Sequence, residues 1–155
     1  MAQRFVVQVH DATRLHFDVR IESGGVLRSW AVPKGPSMDP GVRRLAVQVD
    51  DHDLAAGEFE GVHQGRRRGT GAVIIWDEGT ADVVRDEPDR LSIVLDGHKL
   101  AGRFELVRTG GTQWILVKGA DDHARRGSDV AHDQPASVRS GRTWQEVAAL
   151  EQPTR

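Results

Sequence analysis

From Arg14 to Glu22 apolar and polar side chains alternate without a break, and no other stretch narrows the possible folds so far. Leu15, Phe17, Val19 and Ile21 fall on one face of an extended segment, with Arg14, His16, Asp18, Arg20 and Glu22 on the other. Period two marks a half-buried β-strand. Its polar face is not the Thr, Lys and Ser mixture of a solvated strand: an imidazole, a carboxylate and a guanidinium occupy successive same-side positions roughly 6.5–7 Å apart. Such a row is suited to hold a metal and an anion together. Just upstream, Phe5 to His10 alternates as well, with Gln8 and His10 opposite Phe5, Val7 and Val9. A tight connection through Asp11, Ala12 and Thr13 predicts a hairpin that brings His10 beside His16 and Asp18.

Similar short runs recur down the chain. Val26 to Val32, carrying Trp30, follows the turn Ser23-Gly24-Gly25; Arg44 to Asp50 is expected to point Leu45, Val47 and Val49 inward. Further strands are predicted at Ala72 to Trp76, Asp82 to Arg85, Leu91 to Leu95, Arg103 to Arg108 and Gln113 to Lys118. Pro33 to Pro40 is too rich in Pro and Gly for a regular element. So many short strands, with little room for crossover helices, imply an antiparallel sheet curled into a compact barrel of about eight strands, or a sandwich. Trp30, Trp76 and Trp114 are expected in the core. From Ala120 to Ser140 the chain is polar and irregular, a wrapping or mobile loop. Thr143 and Glu146 have capping-box spacing, which predicts a short C-terminal helix over about 143–151, stapled to the barrel by Trp144.

Composition sets the remaining bounds. At 155 residues the chain is expected to form one domain over 1–155, with the barrel at about 4–118. With no cysteine, a metal site must be built from His, Asp and Glu. A net charge of −2 argues against coating nucleic acid through bulk charge, so a polyanion would be gripped locally. No signal-like start and no long apolar run is present, which predicts a cytoplasmic protein without a membrane partner.

Several constellations carry chemistry. His10, His16 and Asp18 are candidate ligands for a divalent metal, Mn2+ or Zn2+ by donor type, and leave coordination positions open for substrate. Arg20, two residues beyond Asp18 on the same face, is placed to bind phosphate bidentately. His52, set among Asp50, Asp51 and Asp53, is a candidate phosphate ligand or acid. Arg66, Arg67 and Arg68 form a glycine-flanked basic loop suited to a nucleic-acid backbone, without the P-loop pattern. His63, His98, His123 and His132 have no partners at ligand spacing and are assigned no role.

These residues resemble a known family. FVVQVHDATRLHFDVRIESGGVLRSWAVPKGPSMDP, then RRLAVQVDDHDL, FEG and GAVIIWDEG, look like the phosphoesterase module of bacterial DNA ligase D and its stand-alone relatives. The match runs in register from about Arg4 to Lys118, with an echo at Val138 to Thr143, and no ligase or polymerase sequence accompanies it. The resemblance implies a manganese-dependent β-barrel enzyme acting on DNA or RNA 3′ ends in break repair. It removes a terminal ribonucleoside, then the exposed 3′-phosphate. By the same resemblance His10, His16 and Asp18 bind the metal and Arg20 and His52 contact the scissile phosphate. Gln8, Lys34 and Arg44 match polar positions around the site. The implied substrate is a primer-template end, acted on by a monomer beside a repair ligase, polymerase or end-binding protein.

The sequence departs from that pattern twice. Where the family continues H-P-L-D-Y, with the tyrosine donating to phosphate, this chain reads His52-Asp53-Leu54-Ala55-Ala56. The family's P-E-G-x-Y-G-x-G loop becomes Gln64 to Gly71, from which an arginine is expected to take over phosphate contact. The missing tyrosine keeps a rival expectation open, a catalytically silent module that binds nucleic-acid ends or a repair partner. A general phosphatase for small esters is a third.

Overall fold

The alternating runs become strands, as their period requires. The computed structural model describes residues 3–63 and 68–151. Among these, nine strands follow in order: β1 (Gln3–Asp11), β2 (Leu15–Ser23), β3 (Val26–Val32), β4 (Arg43–Asp53), β5 (Gly61–Val62), β6 (Ala72–Glu87), β7 (Arg90–Gly97), β8 (Ala101–Gly110) and β9 (Gln113–Lys118). All pairings are antiparallel, in the order β1-β2-β3-β4-β9-β8-β7-β6, and β1 pairs with β6 to close an eight-strand barrel. Two-residue β5 attaches to β6. The predicted hairpin is present, with His10 opposite His16 and Gln8 opposite Asp18.

One face of each strand fills the barrel. Phe5, Val7 and Val9 of β1 meet Phe17, Val19 and Ile21 of β2 in a core that also holds Trp30, Trp76, Phe104 and Trp114. The aromatic rings pack edge to face, Trp30 with Trp114 at 5.6 Å and Phe17 with Trp76 at 5.4 Å.

Two sequence expectations are corrected here. The segments 72–76 and 82–85 are not separate strands but parts of β6, 16 residues long. Gly79 does not break it, because β6 and β7 approach so closely there that a Cβ would lie 2.0 Å from the Asp96 carbonyl oxygen. On β4 the expected faces are exchanged: Ala46 is fully buried, whereas Leu45 and Val49 are exposed. Space decides this. Ala46 lies opposite Trp114 and Gln48 opposite Trp30, and the Trp114 indole N–H donates to the Gln48 side-chain oxygen at 3.2 Å. Between two indoles a methyl and an amide fit where leucine and valine would not.

The outer face of β1 and β2 is covered in its turn. A 3-10 helix, Leu54–Glu58, folds back over it, and a second small core of Val6, Leu27 and Ile75, with Val138 against it, lies outside the barrel. A strap from the 120–140 segment locks this cover. The Val138 amide donates to the Ile75 carbonyl at 3.0 Å, and the Ile75 amide and Ser137 hydroxyl both donate to Glu60. Arg4 and Arg139 clamp Glu58 and Glu78. The segment holds one short helix, α1 (Val130–Asp133). The last helix, α2 (Trp144–Glu151), has the reciprocal cap read from the sequence: the Thr143 amide donates to Glu146 and the Glu146 amide to the Thr143 hydroxyl. No described helix is long and apolar enough to cross a membrane.

Candidate metal centre

Because the cover lies over the outward face of β2, polar residues there are buried. Asp18 and Arg20 are 6% and 8% exposed, and Gln8, beside them on β1, is 2% exposed. Burial of this kind demands partners. Arg20 finds three: its Nε donates to the Gln8 side-chain oxygen at 2.8 Å, one terminal nitrogen to the Ser29 hydroxyl at 2.8 Å, the other to Asp18 at 3.3 Å. Gln8 uses its own N–H groups on the carbonyls of Ala56 and Phe59, at 2.9 and 3.0 Å. Its amide therefore ties the guanidinium of the barrel wall to the cover above it.

In front of this network lies a cavity of about 500 Å³. His10, His16, Asp18, Arg20, His52, Gln8 and His63 all line it, with Ala12, Val49, Ala56, Phe59 and Val73 completing the walls. One potential ligand atom from each of His10, His16 and Asp18 lies within 4.8 Å of the others. His16 Nε2 is 3.2 Å from Asp18 Oδ1, and His10 Nδ1 is 3.9 Å from Asp18 Oδ2.

The chemistry of the donor set fits a divalent cation. His16 Nδ1 donates to the Arg14 carbonyl at 2.9 Å, which fixes the tautomer so that the Nε2 lone pair faces the carboxylate. Two electron-rich atoms held 3.2 Å apart call for a cation between them, a proton or a metal. The pair's protonation equilibria show the same tension. The hydrogen bond to Asp18 raises His16 above its ordinary value, against the opposing effect of burial. Burial pushes the Asp18 carboxyl up, but His16 and Arg20 together more than offset this and hold it below the usual carboxylate range.

The other expected residues divide. His52 reaches the cavity from β4, with Nδ1 donating to the Asp50 carbonyl at 2.9 Å, so that Nε2 is the nitrogen left to meet a ligand. Lys34 and Arg44 do not reach it; they line a separate surface depression with Pro33, Arg43 and Leu45. Arg66 and Arg67 lie outside the described residues. Exposed Arg68 leads into a turn that docks beside the cavity. There the Thr70 amide and hydroxyl donate to Asp11, and Gly69, at φ +78°, packs so tightly on Ala12 that a Cβ would sit 2.2 Å from its carbonyl oxygen. His63, assigned no role from the sequence, stands beside His10 with ring centroids 5.5 Å apart and stacks on Phe59 at 4.5 Å. No local spacing announces it, since β5 brings it there by pairing with β6.

Fold and site together define a closed antiparallel barrel bearing a candidate divalent-metal centre beside a buried arginine on its outer wall. The family described as the DNA ligase D 3′-phosphoesterase domain matches residues 8–108. The chain is 49% identical over 151 residues to the multifunctional non-homologous end joining protein LigD of Pseudomonas aeruginosa, covering 90% of this chain and 18% of that protein. It is 43% identical over 115 residues to the Mycobacterium tuberculosis protein of that kind, covering 72% and 15%, and 35% identical over 139 residues to that of Mycolicibacterium smegmatis, covering 83% and 18%. The chain belongs to the DNA ligase D 3′-phosphoesterase domain family. It spans less than a fifth of the length of these relatives.

Proposed function

We propose that this chain is a metal-dependent phosphoesterase that processes 3′ ends of DNA or RNA in break repair, releasing a terminal ribonucleoside, a 3′-phosphate or both. One observation carries the reading: His10, His16 and Asp18 converge within one cavity on the same wall as a buried guanidinium. His10, His16 and Asp18 would hold a divalent cation, manganese by the family's example, and when bound it would supply Lewis acidity for phosphoryl chemistry. Arg20 keeps one further N–H on each terminal nitrogen after its internal hydrogen bonds, and with these it grips the phosphate in a fixed orientation. As a water oxygen bonds to phosphorus, His52, keeping its Nδ1–H on the Asp50 carbonyl, gives a second ring proton from Nε2 to the leaving oxygen, and the water's proton passes to solvent. Arg66, Arg67 and Arg68 supply positive charge for the nucleic-acid backbone. Lys34 and Arg44, in their separate depression, meet phosphates farther from the end. The partner is a primer-template terminus, with a repair ligase, polymerase or end-binding protein working at the same break.

The silent-binder alternative draws on Ala56, which lines the cavity and has no hydroxyl to offer where the family has a tyrosine. Manganese-dependent release of a ribonucleoside from a 3′-ribonucleotide primer-template separates the two. The enzyme reading expects turnover in the wild type and a loss of about 100-fold or more in His16→Ala, with end affinity nearly unchanged. A folded wild-type protein that binds ends but releases nothing would establish the binder instead.

A further inference from the structure

Of the four imidazoles that line the cavity, His63 alone has no task in that reading. Its position is built rather than incidental. The His63 amide donates to the Gly71 carbonyl at 2.9 Å, just beyond the pairing of β5 with β6. Val73 of β6 pairs with Gly61 on one side and His10 on the other, so a single strand sets the spacing between His63 and the metal cluster. The ring is then fixed from two directions: it lies nearly parallel to Phe59, 17° between planes, and at 64° to His10.

The chemistry around it is one-sided. Among the described residues, Ala56, Phe59 and His63 form the cavity wall contributed by the segment after β4, and of these three His63 has a hydrogen-bonding side chain. On the opposite count, Arg20 has already given three N–H groups to protein acceptors. A tetrahedral anion presents oxygens in several directions, and among the described residues of the Phe59 wall His63 carries the side-chain donor for one of them. An imidazole has two ring nitrogens, so one can keep a contact within the protein while the other faces the anion. Geometry sets it apart from the ligands, for the group whose ligand atoms gather within 4.8 Å is His10, His16 and Asp18 without it.

We propose that His63 is a further substrate-contacting residue, donating a ring N–H to an oxygen of the substrate's terminal phosphate from the Phe59 side of the cavity. The proposal rests on the phosphoesterase reading for its substrate but not for its ligand, because inorganic phosphate alone can occupy the same place. A donor aimed at a phosphoryl oxygen acts both on binding and, as charge builds, on turnover.

The test uses manganese-loaded wild type, His63→Ala and His63→Gln. Calorimetry measures inorganic phosphate and manganese affinity, and steady-state kinetics are read on a 3′-phosphate primer-template. His63→Ala should lose about tenfold in phosphate affinity and roughly 10- to 100-fold in kcat/KM, while His63→Gln, which keeps an N–H donor, recovers part of both. Manganese affinity should stay within about twofold in each. Phosphate affinity and kcat/KM both within about twofold of wild type in His63→Ala would overturn the proposal, as would a fall in manganese affinity as large as that of His16→Ala. A wild type that binds phosphate through His63 yet turns over no 3′ end would uphold this inference and sink the proposed reaction. One that neither binds phosphate nor turns over a 3′ end would remove both.

Discussion

At the scale of single residues, the His16–Asp18 contact governs how the site answers to pH when metal is stripped from the protein. His16 is raised above its model-compound value of 6.5 and Asp18 lowered below 3.8. A raised imidazole contributes stability that is complete below its unfolded value and vanishes as pH climbs through the folded one. A depressed carboxyl contributes stability present above its unfolded value and lost as pH falls through the folded one. Both contributions are therefore whole between 3.8 and 6.5. In chelator-treated protein, the difference in thermal midpoint between wild type and His16→Ala should be greatest in that window and shrink on either side. A difference that stays flat from acid to alkaline pH would show that the pair is not coupled. These two residues were readable in the sequence because their spacing on one strand face is local. Gln8 was readable only in part, as its place beside the site follows from alternation, but its bonds to Ala56 and Phe59 depend on a cover that arrives some fifty residues later. Phe59 and His63 were not readable at all, since only the pairing of β5 with β6 delivers them.

Among the elements, alternation located strands well and chose their faces less well. It names two faces but cannot say which is interior when both carry apolar groups. On β2 the choice was clear; on β4 the demand of Trp30 and Trp114 for small or bonded neighbours overrode hydrophobicity. Glycine misleads for a related reason, as the same residue that ends strands also permits two of them to cross closely. Gly79 does the second. Gly79→Ala would force β6 and β7 apart, because the obstacle is the backbone carbonyl of Asp96 and not a side chain that can swing aside. The expected cost is about 2–4 kcal/mol, a fall of roughly 5–15 °C in the thermal midpoint for a domain of this size. Unfolding followed by circular dichroism checks it; a midpoint within about a degree of wild type would mean that the strands can separate there without loss.

For the whole molecule, the barrel's closure matters to the site because β1 is both the strand that completes it and the carrier of Gln8 and His10. Its pairing with β2 assembles the candidate metal cluster, and its pairing with β6 brings the β5 wall alongside. Period-two patterning allowed either a barrel or a sandwich, because it says nothing about which edges meet. A site spread over the closing strand and its neighbours exists only in the folded state, which couples metal binding to global stability. At a free metal concentration about 100 times the dissociation constant, binding to the folded form alone adds about 2.7 kcal/mol. At roughly 2–4 °C per kcal/mol, that raises the midpoint by about 5–11 °C. The H-x-D segment persists in the unfolded chain and can bind weakly there, which trims the shift without abolishing it. Manganese should thus raise the wild-type midpoint, a chelator should reverse the gain, and His16→Ala should show little response at the same concentration. An equal rise in both proteins would place the stabilising cation elsewhere on the barrel and leave His10, His16 and Asp18 without a metal to hold.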